Sequence, residues 1–313
     1  MRKVKNYTMA ALILGMSLSL TACGDAGGKN GSPDDATAQA TEAATEAPKE
    51  IIDSELYDSF SNNEAKVLYR GGEGIRTATL FPLGQALEEG QSYTINQIVF
   101  LLKNLPSIPD TFEPDIKYER IDCGQDGVQE LLVDMVFGSS EMYMIIKDID
   151  GELVLCYAEE FTNSKDASPH YIEYKLNPDC TTSRIMSEGK VDMTEYAIID
   201  GNGDYHLYYG LKKTTTFYTT CYVKNGDNSI EVSPDGLDSE HIVLYDYYFS
   251  DDEHFMSYSM IDDNGNDITT DADYEDSNAV KKRFAESGVK TYSNKEIEEM
   301  LSERAKEIGY PAK

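Results

Sequence analysis

The sequence predicts a mainly β fold, an antiparallel meander with flanking N- and C-terminal helices, and three observations carry that prediction. From about residue 115 to 261, short apolar runs recur every 8 to 14 residues. Turn dipeptides separate several of them: Asp150-Gly151, Asn225-Gly226 and Asn264-Gly265 are two-residue hairpin signals, because both turn positions need positive φ. Tyr occurs 22 times and Trp not at all, and Tyr suits half-exposed strands. No helical period intervenes between the runs, so parallel βαβ units are not expected.

Taken in order, the chain opens with basic Arg2, Lys3 and Lys5, then an apolar run from Met9 to Leu20. That run is shorter than the ~20 residues a membrane-spanning helix needs, so it is the apolar part of a signal peptide. The tetrapeptide Leu20-Thr21-Ala22-Cys23 resembles the lipobox of bacterial lipoproteins. The resemblance implies cleavage before Cys23 and diacylglycerol on its sulfur, making residues 1–22 a lipoprotein signal peptide. Two or three acyl chains, at ~0.8 kcal/mol per buried CH2, anchor a protein stably, which places the domain outside the cytoplasm and attached to the cell membrane. Residues 23–50 are the lipidated Cys and a flexible acidic tether, rich in Gly, Ala, Thr, Asp, Glu and Pro and without apolar periodicity. As a random coil the tether spans roughly 30 Å. Residues 51–313 then form the mainly β globular domain, long enough for a substantial core.

Within the domain, 53–61 is a short helix with Ile52, Leu56 and Phe60 on one face. Tyr93 to Asn104 is a second, opened by a Thr94/Gln97 capping box and apolar over most of its circumference, so it is expected to be well buried. Strands are expected at 116–121, 131–137, 142–147, 153–157, 171–176, 196–199, 205–211, 216–223, 241–249 and 255–261. Two helices close the chain. One runs from Ser277 to Ser287 and stops at Gly288. The other opens with a Ser293/Glu296 capping box, carries the stripe Ile297, Met300, Leu301, Ala305 and Ile308, and ends at Gly309 and Pro311.

Charge narrows the function. The formal net charge is −30, and loss of Arg2, Lys3 and Lys5 with the signal peptide takes it to about −33. Such a chain binds neither nucleic acid nor anionic lipid by charge. Four cysteines follow Cys23, namely Cys123, Cys156, Cys180 and Cys221. Export permits disulfides, three full pairings are open, and no Cys-x2–4-Cys pair suggests zinc. Cys156 and Cys221 lie in apolar strand-like runs, where burial as thiols competes with bridging.

The most distinctive stretch is Tyr118 to Leu131, where a strand ends in Ile121-Asp122-Cys123-Gly124-Gln125-Asp126-Gly127 and Glu130-Leu131 opens the next. It resembles a Tyr-x-x-Ile-Asp-Cys-Gly-x-Asp-Gly-x-x-Glu-Leu segment of exported bacterial lipoproteins of unknown function. Tyr196 to Leu207, with Asp200-Gly201-Asn202-Gly203-Asp204, is similar to a second element of the same proteins. The resemblance spans 118–211 by motif and implies no activity. Asp200, Asn202 and Asp204 fill alternate positions of the second loop, as Ca2+ prefers, while Asp122 and Asp126 hold positions one and five of the first with Gly124 at three, so Asp122, Asp126, Glu130, Asp200, Asn202 and Asp204 are the candidate metal ligands. Neither loop has the EF-hand Glu at position twelve (Val133 and Leu211 stand there), and 262–273 has Asp267 where the Gly belongs. Tight turns demand the same Asp, Asn and Gly without any metal.

Enzyme signals are sparse. His170, His206, His241 and His254 are scattered, and neither His-Glu-x-x-His nor Gly-x-Ser-x-Gly occurs. The leading expectation is a non-enzymatic module binding a protein or glycan at the cell envelope. The alternatives are an envelope-polymer hydrolase with paired carboxylates, recognisable by a cleft holding two carboxyls with one raised pKa, and a structural envelope-maintenance lipoprotein.

Overall fold

The computed structural model describes residues 51–76, 83–106, 113–137, 140–162, 170–188, 191–215, 217, 220–225 and 228–311. The expected signal peptide, lipidation site Cys23 and tether lie outside them. No described helix is long and apolar enough to cross a membrane.

The first layer of helices and short strands comprises α1 (Glu55–Ser61), β1 (Val67–Tyr69), β2 (Ile75–Arg76), α2 (Leu83–Ala86), β3 (Ser92–Tyr93) and α3 (Ile95–Lys103). The Ser54 hydroxyl caps α1 by accepting from Leu56 N, and the reciprocal Thr94/Gln97 capping box opens α3 as expected. Two expectations fail here. Ile52 is not on the helix: it bridges to Val128 and is exposed, and the buried stripe is Tyr57 and Phe60. The second helix buries only Ile95, Ile98 and Leu102, leaving Phe100 65 % exposed.

β4 (Asp115–Ile121), β5 (Glu130–Phe137), β6 (Ser140–Ile149) and β7 (Glu152–Thr162) form the expected antiparallel meander. The Asp150-Gly151 turn has φ of 55° and 86°, as a tight hairpin requires. β1 and β2 both add to β7 in parallel, completing a seven-stranded sheet in the order β3-β1-β7-β6-β5-β4. This parallel edge departs from the all-antiparallel expectation. The partners Val67 and Leu153 are too far apart in sequence for any local pattern to announce them. One face of this sheet, including Leu131, Val133, Met144 and Ile146, packs against α1, α2 and α3.

The second sheet holds β8 (His170–Leu176), β9 (Thr181–Glu188), β10 (Val191–Ile199), β11 (Tyr205–Thr214), β14 (Ile242–Tyr248) and β15 (His254–Met260), in the order β15-β14-β11-β10-β9-β8. The hairpin β12 (Cys221–Asn225) and β13 (Asn228–Val232) interrupts the meander between β11 and β14. β9 and the first half of β10 were not expected, because Thr181-Thr182-Ser183-Arg184 shows no apolar alternation. Asn264-Gly265 is not a two-residue hairpin: only Gly265 has positive φ, and the Asp262 carboxylate holds the turn by accepting from Asn264 N and Asn266 N. α4 (Ala279–Glu286) packs Val280 and Phe284 with Phe217, Leu244 and Tyr258. α5 (Asn294–Ile308) starts with the Ser293/Glu296 capping box and stops at left-handed Gly309.

A third apolar cluster joins the sheets. Leu132, Ile145, Tyr157 and Phe161 of the first meet Tyr174 and Ile199 of the second around Cys123 and Cys180.

Candidate functional site

The two Asp/Gly loops come together at this junction. Gly124 has φ of +82°, and a Cβ on it would lie 2.6 Å from Gly201 N, so the two backbones touch where only glycine fits. A Cβ on Gly201 would lie 2.9 Å from Asp126 Oδ2, and one on Gly203 2.5 Å from Cys156 Sγ. Cys123 and Cys180 form a disulfide with a Cα–Cα distance of 5.0 Å, which selects among the open pairings. Cys156 and Cys221 are free, half-buried thiols that burial pushes up to about 11.

The candidate metal ligands have other work in this joint. Asp122 accepts from Asp126 N and Gly127 N at 3.0 and 3.1 Å, and Asp126 Oδ1 accepts from Val128 N at 2.8 Å. Asp200 Oδ1 accepts from Asn202 N at 2.8 Å and Asp204 N at 3.0 Å, while Oδ2 lies 3.1 Å from His206 Nε2. Burial works to raise the Asp200 carboxyl, but these hydrogen bonds outweigh it and hold it below the ordinary range. Asn202 and Asp204 are exposed at the loop tip. Glu130 is fully buried, accepts from Cys123 N at 2.7 Å and pairs with Lys147. Burial raises its carboxyl although Lys147 and Cys123 N oppose the shift. Among the described residues no group of three or more His, Cys, Asp or Glu is placed to hold a metal ion.

A paired carboxylate does occur, unforeseen from the sequence. Arg76 of β2 bridges Glu159 of β7 (3.1 Å) and Glu195 of β10, and donates to the Tyr205 hydroxyl. Arg184 Nη1 is 3.7 Å from Glu159 Oε1, Tyr157 donates to Glu159, and Tyr248 donates to Glu195 at 2.9 Å. Burial, abetted by Glu195 and opposed by both arginines, carries the Glu159 carboxyl up to about 7. Glu159 is 1 % exposed, so a substrate would reach it only by parting the sheets.

The other face of the second sheet carries a row of tyrosines beneath α5. Between β10 and β11 the register runs Tyr196↔Tyr209, then Ala197↔Leu207, leaving Tyr208 as the extra residue of a β-bulge. In a regular strand Tyr208 and Tyr209 would point to opposite faces; with the bulge their rings meet edge to face at 4.8 Å. Tyr209 also contacts Tyr196 (5.0 Å) and Tyr247 (6.1 Å), Tyr247 contacts Tyr245 (6.4 Å), and Tyr310 stacks on Tyr208 at 4.2 Å. All six rings are half-buried. Leu301 and Ala305 of α5 form the opposite wall of a cavity of about 210 Å3 over Tyr196, Tyr208, Tyr209 and Tyr310. Arg304 holds α5 there, donating to the carbonyl of Leu207, the residue just before the bulge, at 3.1 Å.

Burial pushes the Tyr247 and Tyr310 hydroxyls up to about 12 and that of Tyr209 higher still, with the neighbouring phenols adding to it. They stay neutral at physiological pH, each able to donate and accept. Among the described residues no protein partner is found for the hydroxyls of Tyr208, Tyr209, Tyr247 and Tyr310. Tyrosine abundance was visible in the sequence, but not the bulge that assembles the rings.

Comparison with known proteins finds no matching family model, no matching curated protein and no matching solved structure.

Proposed function

We propose that this protein is a lipid-anchored extracytoplasmic binding module whose tyrosine groove takes a glycan of the cell envelope. One observation carries the reading. A β-bulge places consecutive Tyr208 and Tyr209 on one face, within a run of six half-buried rings, four of which line one cavity with α5. Flat apolar rings with hydroxyls at their edges suit a sugar, which presents C–H faces and hydroxyl edges together, and ligand pockets combine apolar walls with a few placed polar groups in this way. The lipobox at Cys23 and the resemblance of 118–211 to exported lipoproteins support the location, as does the Cys123–Cys180 pair, since disulfides persist in oxidising compartments.

The hydrolase reading rests on Glu159 and Glu195, and burial of Glu159 weighs against it. Two experiments test the proposal. Glycan-array binding by the full-length protein should be weakened at least tenfold by Tyr208→Ala and by Tyr310→Ala, with thermal stability as the control for folding; unchanged binding in both refutes the site. Cys23→Ala should release the protein or leave it unprocessed; normal processing with membrane retention refutes the anchor.

A further inference from the structure

We infer that the glycan is an uncharged linear chain lying across two subsites on either side of Leu301; this rests on the tyrosine-groove reading above. A second cavity, of about 270 Å3, continues along α5, with Tyr245 and Tyr247 as its aromatic wall and Ser259, Asn294 and Glu298 supplying polar groups. Leu301 lines both cavities. The rings run unbroken from one to the other: Tyr310 to Tyr208, Tyr208 to Tyr209, Tyr209 to Tyr247 and Tyr247 to Tyr245, at centroid spacings of 4.2, 4.8, 6.1 and 6.4 Å. A path of four consecutive ring contacts is longer than one sugar ring and follows one direction along the helix, which selects a linear chain over a single residue or a branch point.

Charge decides the class of chain. Recognition of phosphate or uronate uses the Arg fork or the Lys ammonium. Among the described residues lining the two cavities none is Lys, Arg or His, and Asp267 and Glu298 add negative charge to the second. The formal charge of −30 repels a polyanion before contact. Hydroxyl, amide and carboxylate groups along aromatic walls are the partners of sugar hydroxyls.

The test uses the full-length protein with uncharged hexasaccharides (malto-, cello- and N-acetylated chito-), their disaccharides, and a hexameric polyuronate. One hexasaccharide should bind at least tenfold more tightly than its disaccharide. Tyr310→Ala and Tyr245→Ala, at opposite ends, should each weaken the hexasaccharide, while at most one of them weakens the disaccharide. Equal affinity for hexa- and disaccharide would overturn the two-subsite inference and leave the tyrosine site standing. Tighter binding of the polyuronate would overturn the charge assignment. Failure of every glycan would remove the proposed function itself.

Discussion

Glu159 makes stability fall as pH rises. Its carboxyl is carried from an ordinary 4.5 up to about 7, chiefly by burial. A carboxyl raised on folding binds its proton more tightly in the native state than in the unfolded one, so it contributes full stability below about 4.5 and loses it as pH climbs through 7. At 1.36 kcal/mol per pH unit between those values, the loss is about 3 kcal/mol. Glu130, raised by burial despite Lys147, acts with the same sign. Asp200, Asp262, Asp267, Asp276 and Glu296 are held below their ordinary range, so their contributions disappear only in more acid solution. Asp134, raised by burial, and His241, raised by its hydrogen bonds to Asp238 and Asp263, act with the same sign as Glu159, so the Glu159 share is read from the difference between wild type and variant. For a domain of this size ~3 kcal/mol corresponds to roughly 6–12 °C in Tm. Denaturant midpoints measured from pH 5 to 8.5 should decline in the wild type and decline much less in Glu159→Gln. A flat or rising wild-type profile, or an unchanged slope in the variant, refutes the assignment.

Three further outcomes follow from the joint between the sheets. Gly124→Ala combines left-handed backbone strain with a Cβ 2.6 Å from Gly201 N and should cost about 2–4 kcal/mol, whereas Gly151→Ala, at φ +86° with open space around it, should cost only about 1–2 kcal/mol in urea melts. Removing both Cys123 and Cys180 opens a link of sequence separation 57 and should cost roughly 4 kcal/mol, read by the same assay; a loss under about 1 kcal/mol contradicts a structural role for the bridge. Millimolar Ca2+ should leave Tm unchanged, because the Asp122 and Asp200 carboxylates already accept backbone N–H groups; a saturable rise refutes that account.

What was legible in the sequence was local. The Thr94/Gln97 and Ser293/Glu296 boxes, the Asp150-Gly151 turn and the short apolar runs of the first meander depend on residues within a few positions of one another. β9 escaped because its polar first half carries no period. The parallel edge escaped because Val67 and Leu153 meet only through the tertiary fold. The motif of 118–131 stood out in the sequence, and its residues divide between stapling a turn, forming the disulfide and touching Gly201, a division no spacing pattern announces. The tyrosine groove was least legible of all. Strand parity assigns Tyr208 and Tyr209 to opposite faces, and one unpaired residue reverses that.

With 22 tyrosines and no tryptophan, intrinsic fluorescence of this protein reports tyrosine alone. Uncharged hexasaccharides titrated into the full-length protein in detergent, beside a folded Tyr208→Ala variant, therefore report on the tyrosine groove itself. A saturable change is expected for at least one sugar, shifted at least tenfold to higher concentration in the variant. A titration in which no sugar perturbs the signal, or in which wild type and variant coincide, would contradict it.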